Sequence, residues 1–402
     1  MAHVEIRPAR LEELPEVQRN AARQLGMSPE MFQGMHPDWT LCAFVDGELA
    51  TTYAAWPLQI RFNGPAAPMA GVTWVSTHPA HRRKGYLRAV TRKHFEQIHE
   101  QGTVAMAGLH PAWMAIYQRY GYGTVNMRHS YRIEPRNVTF AHPLEAPGRV
   151  REVDLESEFG LLVDVYRRFR EERNGLIHRG RAMWDAGPLS GPPPGMARTI
   201  LAYEEDGEPL GYVIFLTGPG LERTTAGPSQ VLRVMDFFAL TPAAHQALWR
   251  VMGAYDNVGE IVWNNAPPDD PLPNMLTEPR LLNIAVRDGI MVRLVTVEDA
   301  LTQRPYPTTA ELRFQLVDTF CEWNSGRWRL VTDVEGSEVT RIDGDVDITL
   351  TPDTLASMVW GRITATDAAR AGLLEVHDER ALARWDEALR TRYIPYEAEH
   401  TW

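Results

Sequence analysis

The chain has 402 residues, 44% hydrophobic and 23% charged, which leaves room for two or three domains with a core in each and excludes a single small fold or a disordered polymer. A formal net charge of -11 disfavours non-specific nucleic-acid binding and would draw in a cationic, amine-bearing molecule. Two cysteines, Cys42 and Cys321, are too few for a disulfide framework, the first residues carry no basic-then-apolar signal pattern, and no apolar run approaches the roughly 20 residues that span a bilayer, so a reducing cytoplasm without membrane contact is the expected setting.

In chain order, Val4 to Pro8 reads as a strand, and Leu11, Leu14, Val17, Ala21 and Leu25 recur behind it at helical spacing. Leu41 to Phe62 reads as a hairpin closed by Asp46-Gly47. Val72-Thr-Trp-Val75 is a β-branched and aromatic run, after which Leu87, Val90, His94, Phe95 and Ile98 mark an amphipathic helix. Between them lies a basic turn, His81-Arg82-Arg83-Lys84-Gly85, delivered to a helix N-terminus. Unpaired amides and the positive end of the helix dipole meet there, Gly85 lets the backbone approach closely, and Arg82 and Arg83 supply charge-assisted donors. That chemistry suits a pyrophosphate, although a basic run standing alone is more often a solvated helix face.

After Gly102, Val104 to Leu109 reads as a buried strand, and His110 to Gly123 as loop, short helix and glycine turn. Tyr117 in that helix is either a core ring or a phenol placed to donate a proton, with Tyr120 and Tyr122 as rival acids. His94 and His99 stand five apart, off one helix face, and read as ordinary helix residues rather than a zinc pair, so no metal is expected. Neither cysteine lies in a nucleophile context.

Arg82-x-x-Gly85-x-Leu87 after a valine-rich strand resembles the acetyl-CoA loop of the GNAT acetyltransferases, Arg/Gln-x-x-Gly-x-Gly/Ala, with Leu87 in place of the small last residue. The longer Pro79-x-His81-Arg82-Arg83-Lys84-Gly85-x-Leu87-Arg88-Ala89 and the later Ile116-Tyr117-x-Arg119-x-Gly121-Tyr122-Gly123 together resemble the Eis-type (enhanced intracellular survival) branch. The resemblance implies an N-acetyltransferase that uses acetyl-CoA as co-substrate. It implies cofactor contacts from Val75, Ser76 and Thr77 along the pantetheine arm, from Arg83, Lys84, Gly85, Tyr86, Leu87 and Arg88 in the loop, and from Ala112 and Trp113, where relatives carry small and acidic residues. It also makes Tyr117 the general acid for the departing thiolate.

Residues 199 to 250 repeat the first layout, with Asp206-Gly207 as the hairpin turn and Val231 to Arg250 as strand and helix. Here His245 runs straight into Gln246 with neither glycine nor paired arginines, so this copy reads as a degenerate GNAT-like domain that shapes the substrate cavity. Proline-rich stretches at 187–195 and 267–273 read as loops within it. From about 291, strands near 312–317, 327–331 and 346–350 and helical patterns at 352–361 and 378–391 resemble the sterol-carrier-protein-like α+β domain that ends Eis-type proteins. The expected fold is therefore mixed α+β: tandem GNAT-like domains over 1–150 and 151–290, the second degenerate, and the carrier-like domain over 291–402.

Ile394 to Trp402 is extended and polar, ordinarily a frayed terminus. The resemblance implies instead that it returns to the first domain's active site, where the Trp402 carboxylate is the general base, with Glu397 and Glu399 as substitutes. Aminoglycoside-like polycations or lysine side chains are the implied acceptors, and a hexamer the implied assembly. The competing reading is a non-catalytic binding protein that takes an apolar ligand through its C-terminal domain.

Overall fold

The computed structural model describes residues 3–27, 34–220, 229–399 and 402. They form two compact units, one of Met1–Asn126, Gly289–Pro395 and Trp402, the other of Met127–Asp288 and Tyr396–Thr401.

The first unit begins with strand β1 (Val4–Arg7), helix α1 (Leu14–Leu25), strands β2 (Cys42–Val45), β3 (Glu48–Arg61) and β4 (Ala66–Thr77), helix α2 (Tyr86–Gln101), strand β5 (Met106–Leu109), helix α3 (Met114–Gln118) and strand β6 (Gly123–Thr124). Asp46 and Gly47 both have positive φ, 51° and 87°, the backbone hand that matches strand twist in a two-residue hairpin. Alternation along β2 divides the core between the two faces of the sheet: Cys42 and Phe44 pack with Val17, Ala21 and Ala22 of α1, and Ala43 with Val90, Phe95 and Ile98 of α2. Glycines in the left-handed region stop both helices, Gly26 after α1 and Gly102 after α2.

The second unit holds β7 (Met127–Ile133), β8 (Arg149–Glu152), α4 (Leu155–Arg170), α5 (Arg181–Ala186), β9 (Ala197–Glu205), β10 (Glu208–Pro219), β11 (Gln230–Ala239), α6 (Pro242–Gly253), β12 (Val258–Ala266), α7 (Leu272–Met275) and β13 (Ala285–Asp288). Its sheet runs β13-β7-β12-β11-β10-β9-β8, with only β11 and β12 parallel. Asp206 and Gly207 repeat the hairpin turn at φ 52° and 82°. Tyr396 and Ala398 of the final segment belong to the core formed by Leu162, Val165, Tyr212 and Phe238, so the segment is packed rather than frayed as far as Glu399.

Back in the first unit, β14 (Met291–Leu294) enters the first sheet between β5 and β6, giving the order β1-β2-β3-β4-β5-β14-β6. Helix α8 (Val297–Gln303) then leads to β15 (Ala310–Leu316), β16 (Gly326–Asp333), β17 (Gly336–Arg341), β18 (Ile348–Leu350), α9 (Pro352–Val359), α10 (Ala365–Arg370), β19 (Leu374–Val376) and α11 (Ala381–Leu389). The five strands pair in the order β17-β16-β15-β18-β19. The buried Arg304 guanidinium donates to Val359 O at 2.8 Å and Leu389 O at 2.6 Å, the carbonyl ends of α9 and α11, where helix dipoles favour a cation.

Candidate active site

Strand β4 is paired with β5 only from Met69 to Val72. Immediately beyond, Trp74 takes φ 54°, rare for a bulky residue, and the β3–β4 register shifts between Thr52 and Ala54. The bulge is held from behind. Thr52 Oγ1 donates to Trp74 O at 2.6 Å and meets Ser76 Oγ at 2.6 Å, and the Trp74 indole is buried against Cys42, Phe44 and Ala54. The stretch Val75–Thr77 therefore faces a cleft where β5 no longer pairs with it. Sequence periodicity carried no sign of this bulge, because its supports come from β3.

The cleft has a volume of about 750 Å³. Val75, Ser76, Thr77, Arg83, Gly85, Tyr86, Leu87, Arg88, Ala112 and Tyr117 all line it. Arg83 at φ 63° and Gly85 at φ 86° put two alternate loop residues in the left-handed region, the backbone form from which anion-binding amide nests are built. Gly85 is the N-cap of α2 and offers no side chain to the first-turn amides, which carry no acidic neighbour. The degenerate copy differs at this point. Thr241 caps α6 by accepting from Ala244 N at 3.1 Å, Pro242 occupies its first turn, and His245 turns inward to Asp270 at 2.9 Å.

Arg82 braces the loop: its Nε donates to Thr77 O at 3.1 Å and its Nη2 to Gln24 Oε1 at 3.0 Å on the last turn of α1. Gln24, Leu25, Ile116, Arg119 and Tyr120 also line the cleft, and motif spacing alone did not bring the end of α1 here. Lys84 is exposed and Trp113, at the N-cap of α3, is 69% exposed; neither is among the lining residues.

Tyr117 is buried on α3, and burial, with a smaller effect from Tyr120, pushes its phenol up to about 12, so it stays protonated across the physiological range. Tyr120 also lines the cleft, whereas Tyr122 is fully buried behind it near Tyr53. Two residues before Val75 on β4, Thr73 Oγ1 donates to Trp402 O at 2.7 Å. The Trp402 indole meets the His110 ring edge-on at 4.3 Å and lies over Gly71, where an added Cβ would approach Nε1 to 3.1 Å and Leu58 Cδ1 to 2.4 Å. Close approach is what requires glycine at position 71.

The other candidate groups lie elsewhere. Glu397 and Glu399 are buried in the second unit, where burial raises both carboxyls; Glu399 is ion-paired with Arg179, which also binds Asp236 at 2.6 Å. His94 meets Tyr53 Oη at 2.8 Å through Nδ1, and His99 stacks on Trp323 at 4.7 Å. Burial pushes the Cys42 and Cys321 thiols up to about 11, away from thiolate chemistry.

Known proteins match this architecture over nearly its whole length. Residues 5–125 and 175–294 each match an acetyltransferase (GNAT) domain, and 297–397 a sterol carrier protein domain. An uncharacterized N-acetyltransferase of Streptomyces avermitilis is 31% identical over 361 residues, 87% of each chain. N-acetyltransferase Eis of Mycobacterium tuberculosis is 29% identical over 330 residues, covering 80% of this chain and 78% of its own. The crystal structure of Eis1 from Mycobacterium abscessus superposes with a TM-score of 0.84 at 26% identity, covering 98% of this chain and 99% of its own. With an uncapped basic cradle, an opened β4 and a buried phenol already in one cleft, the chain belongs to the Eis-type GNAT N-acetyltransferases, enzymes that use acetyl-CoA.

Proposed function

We infer that the protein moves an acetyl group directly from acetyl-CoA to an amine of a polycationic small molecule, an aminoglycoside-like acceptor, and alternatively to lysine side chains. The observation that carries this reading is the Thr73 hydroxyl on Trp402 O, two residues from the open Val75 backbone and in the same unit as the Tyr117 cleft. Val75, Ser76 and Thr77 would pair with the pantetheine arm, and the nest from Arg83 to Arg88, with Ala112, would hold the rest of the cofactor.

In this reading the Trp402 carboxylate takes a proton from the acceptor ammonium, and the freed nitrogen attacks the thioester carbon. The oxyanion accepts from Val75 N–H. The C–S bond then breaks, the electron pair leaves with sulfur, and Tyr117 protonates the thiolate. The attacking nitrogen gives up its second proton to solvent as the amide forms, and the proton held by the carboxylate replaces the one Tyr117 has given, so the cycle releases one proton per amide formed. Position, rather than acidity, suits Tyr117 to this step, because a phenol held up to about 12 gives its proton only as the thiolate forms.

A net charge of -11 supports a cationic acceptor by raising its concentration near the protein. Assembly as a hexamer and a cytoplasmic setting are proposed with it; among the described residues no helix is long and apolar enough to cross a membrane. The test is thiol release from acetyl-CoA with an aminoglycoside panel beside a lysine-rich protein. Turnover on the panel supports the small-molecule reading, turnover only on the protein moves the acceptor to lysine, and no turnover on either refutes both.

A further inference from the structure

The match to a sterol carrier domain gives the third part of the chain a shape but no task, and its packing on α2 suggests one. Arg88, Arg92, Phe95 and His99 recur at i, i+4, i+7 and i+11, a single stripe along α2. Every member of that stripe meets the loop after β15. The Arg88 and Arg92 guanidinium carbons lie 5.2 Å and 4.9 Å from the Phe320 ring centre, Phe95 meets the same ring edge-on at 5.8 Å, and His99 stacks on Trp323 at 4.7 Å. Tyr120 of the cleft packs on Phe320 as well, at 5.0 Å.

The loop is rigid for reasons of its own. Asp318 Oδ1 accepts from Phe320 N at 3.1 Å and Cys321 N at 2.9 Å, while Oδ2 is ion-paired with the fully buried Arg293 of β14 and accepts from Asn324 Nδ2 at 3.1 Å. Phe320 is thus a fixed, buried aromatic face presented to α2.

Arg88 needs such a face. It sits in the first turn of α2, where the helix dipole opposes a cation, one turn from the like charge of Arg92, and it is exposed to solvent. A long arginine in that position loses its orientation unless something holds it, and a ring within about 6 Å does so through cation–π attraction. Because Arg88 lines the cofactor cleft, its orientation is set before any anion arrives, and preorganisation lowers the cost of binding.

We propose that Phe320 of the carrier-like domain is a positioning residue for acetyl-CoA: its ring holds Arg88 toward the phosphates of the cofactor, making this domain part of the cofactor site. The proposal rests on the cofactor reading of the cleft. It is tested by steady-state kinetics of the full chain with acetyl-CoA and with S-acetylpantetheine, a donor that lacks the phosphates. Phe320→Leu raises KM for acetyl-CoA about fivefold, leaves kcat and the acetylpantetheine KM within about twofold, and Phe320→Tyr restores the native value. Should the leucine variant fail to fold, Phe320→Met removes the ring face with less loss of volume and carries the same expectation. Arg88→Gln raises KM for acetyl-CoA, and adding Phe320→Leu to it produces no further rise. An equal loss on both donors, or an unchanged KM for acetyl-CoA in the leucine and methionine variants, overturns the role of Phe320. An unchanged KM in Arg88→Gln overturns the placement of Arg88 at the cofactor itself.

Discussion

At the scale of single residues, burial holds several groups of the first unit, inside and outside the cleft, away from their ordinary chemistry. Tyr117 keeps its proton, Cys42 and Cys321 keep theirs, and His94 loses its own: burial pushes His94 down to about 4, and its Nδ1 sits against the Tyr53 hydroxyl. A histidine whose folded pKa lies below its unfolded value of about 6.5 contributes stability above pH 6.5 and loses it as pH falls toward 4. A shift of that size corresponds to about 3 kcal/mol, and the partial exposure of the His94 side chain reduces the expected loss to roughly 2 kcal/mol. Thermal unfolding at pH 7 and pH 5 therefore shows a larger acid loss in the native chain than in His94→Gln. Equal losses in the two chains would contradict this account.

At the scale of elements, what was legible in the sequence is what depends on neighbours in the chain. Asp46-Gly47 and Asp206-Gly207 announce their hairpins because few other pairs accept two positive φ values, and α2 is announced by the glycines at both ends as much as by its apolar spacing. The cradle from Arg83 to Arg88 is local in the same sense. The Trp74 bulge, the entry of β14 between β5 and β6, and the Arg293–Asp318 pair are not, since each depends on partners tens to hundreds of residues away. Ala112 and Trp113 illustrate the limit of motif carry-over: adjacent in sequence, one lines the cleft and the other stands in solvent. The Arg293–Asp318 pair carries its own prediction. A Cβ at Gly121 would lie 2.0 Å from Arg293 Nη1, so this guanidinium fills the space beneath the Tyr117–Tyr122 segment as well as neutralising Asp318. Arg293→Met strands a buried carboxylate and lowers the unfolding free energy by about 3–5 kcal/mol in denaturant titrations, part of which returns when Asp318→Asn is added. A loss below about 1 kcal/mol would show that the pair carries little weight.

At the scale of the molecule, one unit contains both the first GNAT domain and the carrier-like domain, and the final segment supplies residues 396–399 to the other unit and Trp402 to the first. The second unit anchors that segment through Asn265, whose Nδ2 donates to Ala398 O, through Tyr396 Oη on Asn265 O at 2.6 Å, and through the Arg179–Glu399 pair. The first unit thus joins residues more than three hundred positions apart, Thr73 and Trp402, through one hydrogen bond. The most direct measurement is thiol release from acetyl-CoA with a productive amine, comparing the native chain, the chain lacking Trp402 and Tyr117→Phe, each checked for native melting. The account predicts a fall in kcat of about 100-fold or more in both variants, the typical range for a lost general base or acid, with acetyl-CoA binding retained. Full turnover in either folded variant would contradict the role given to that residue.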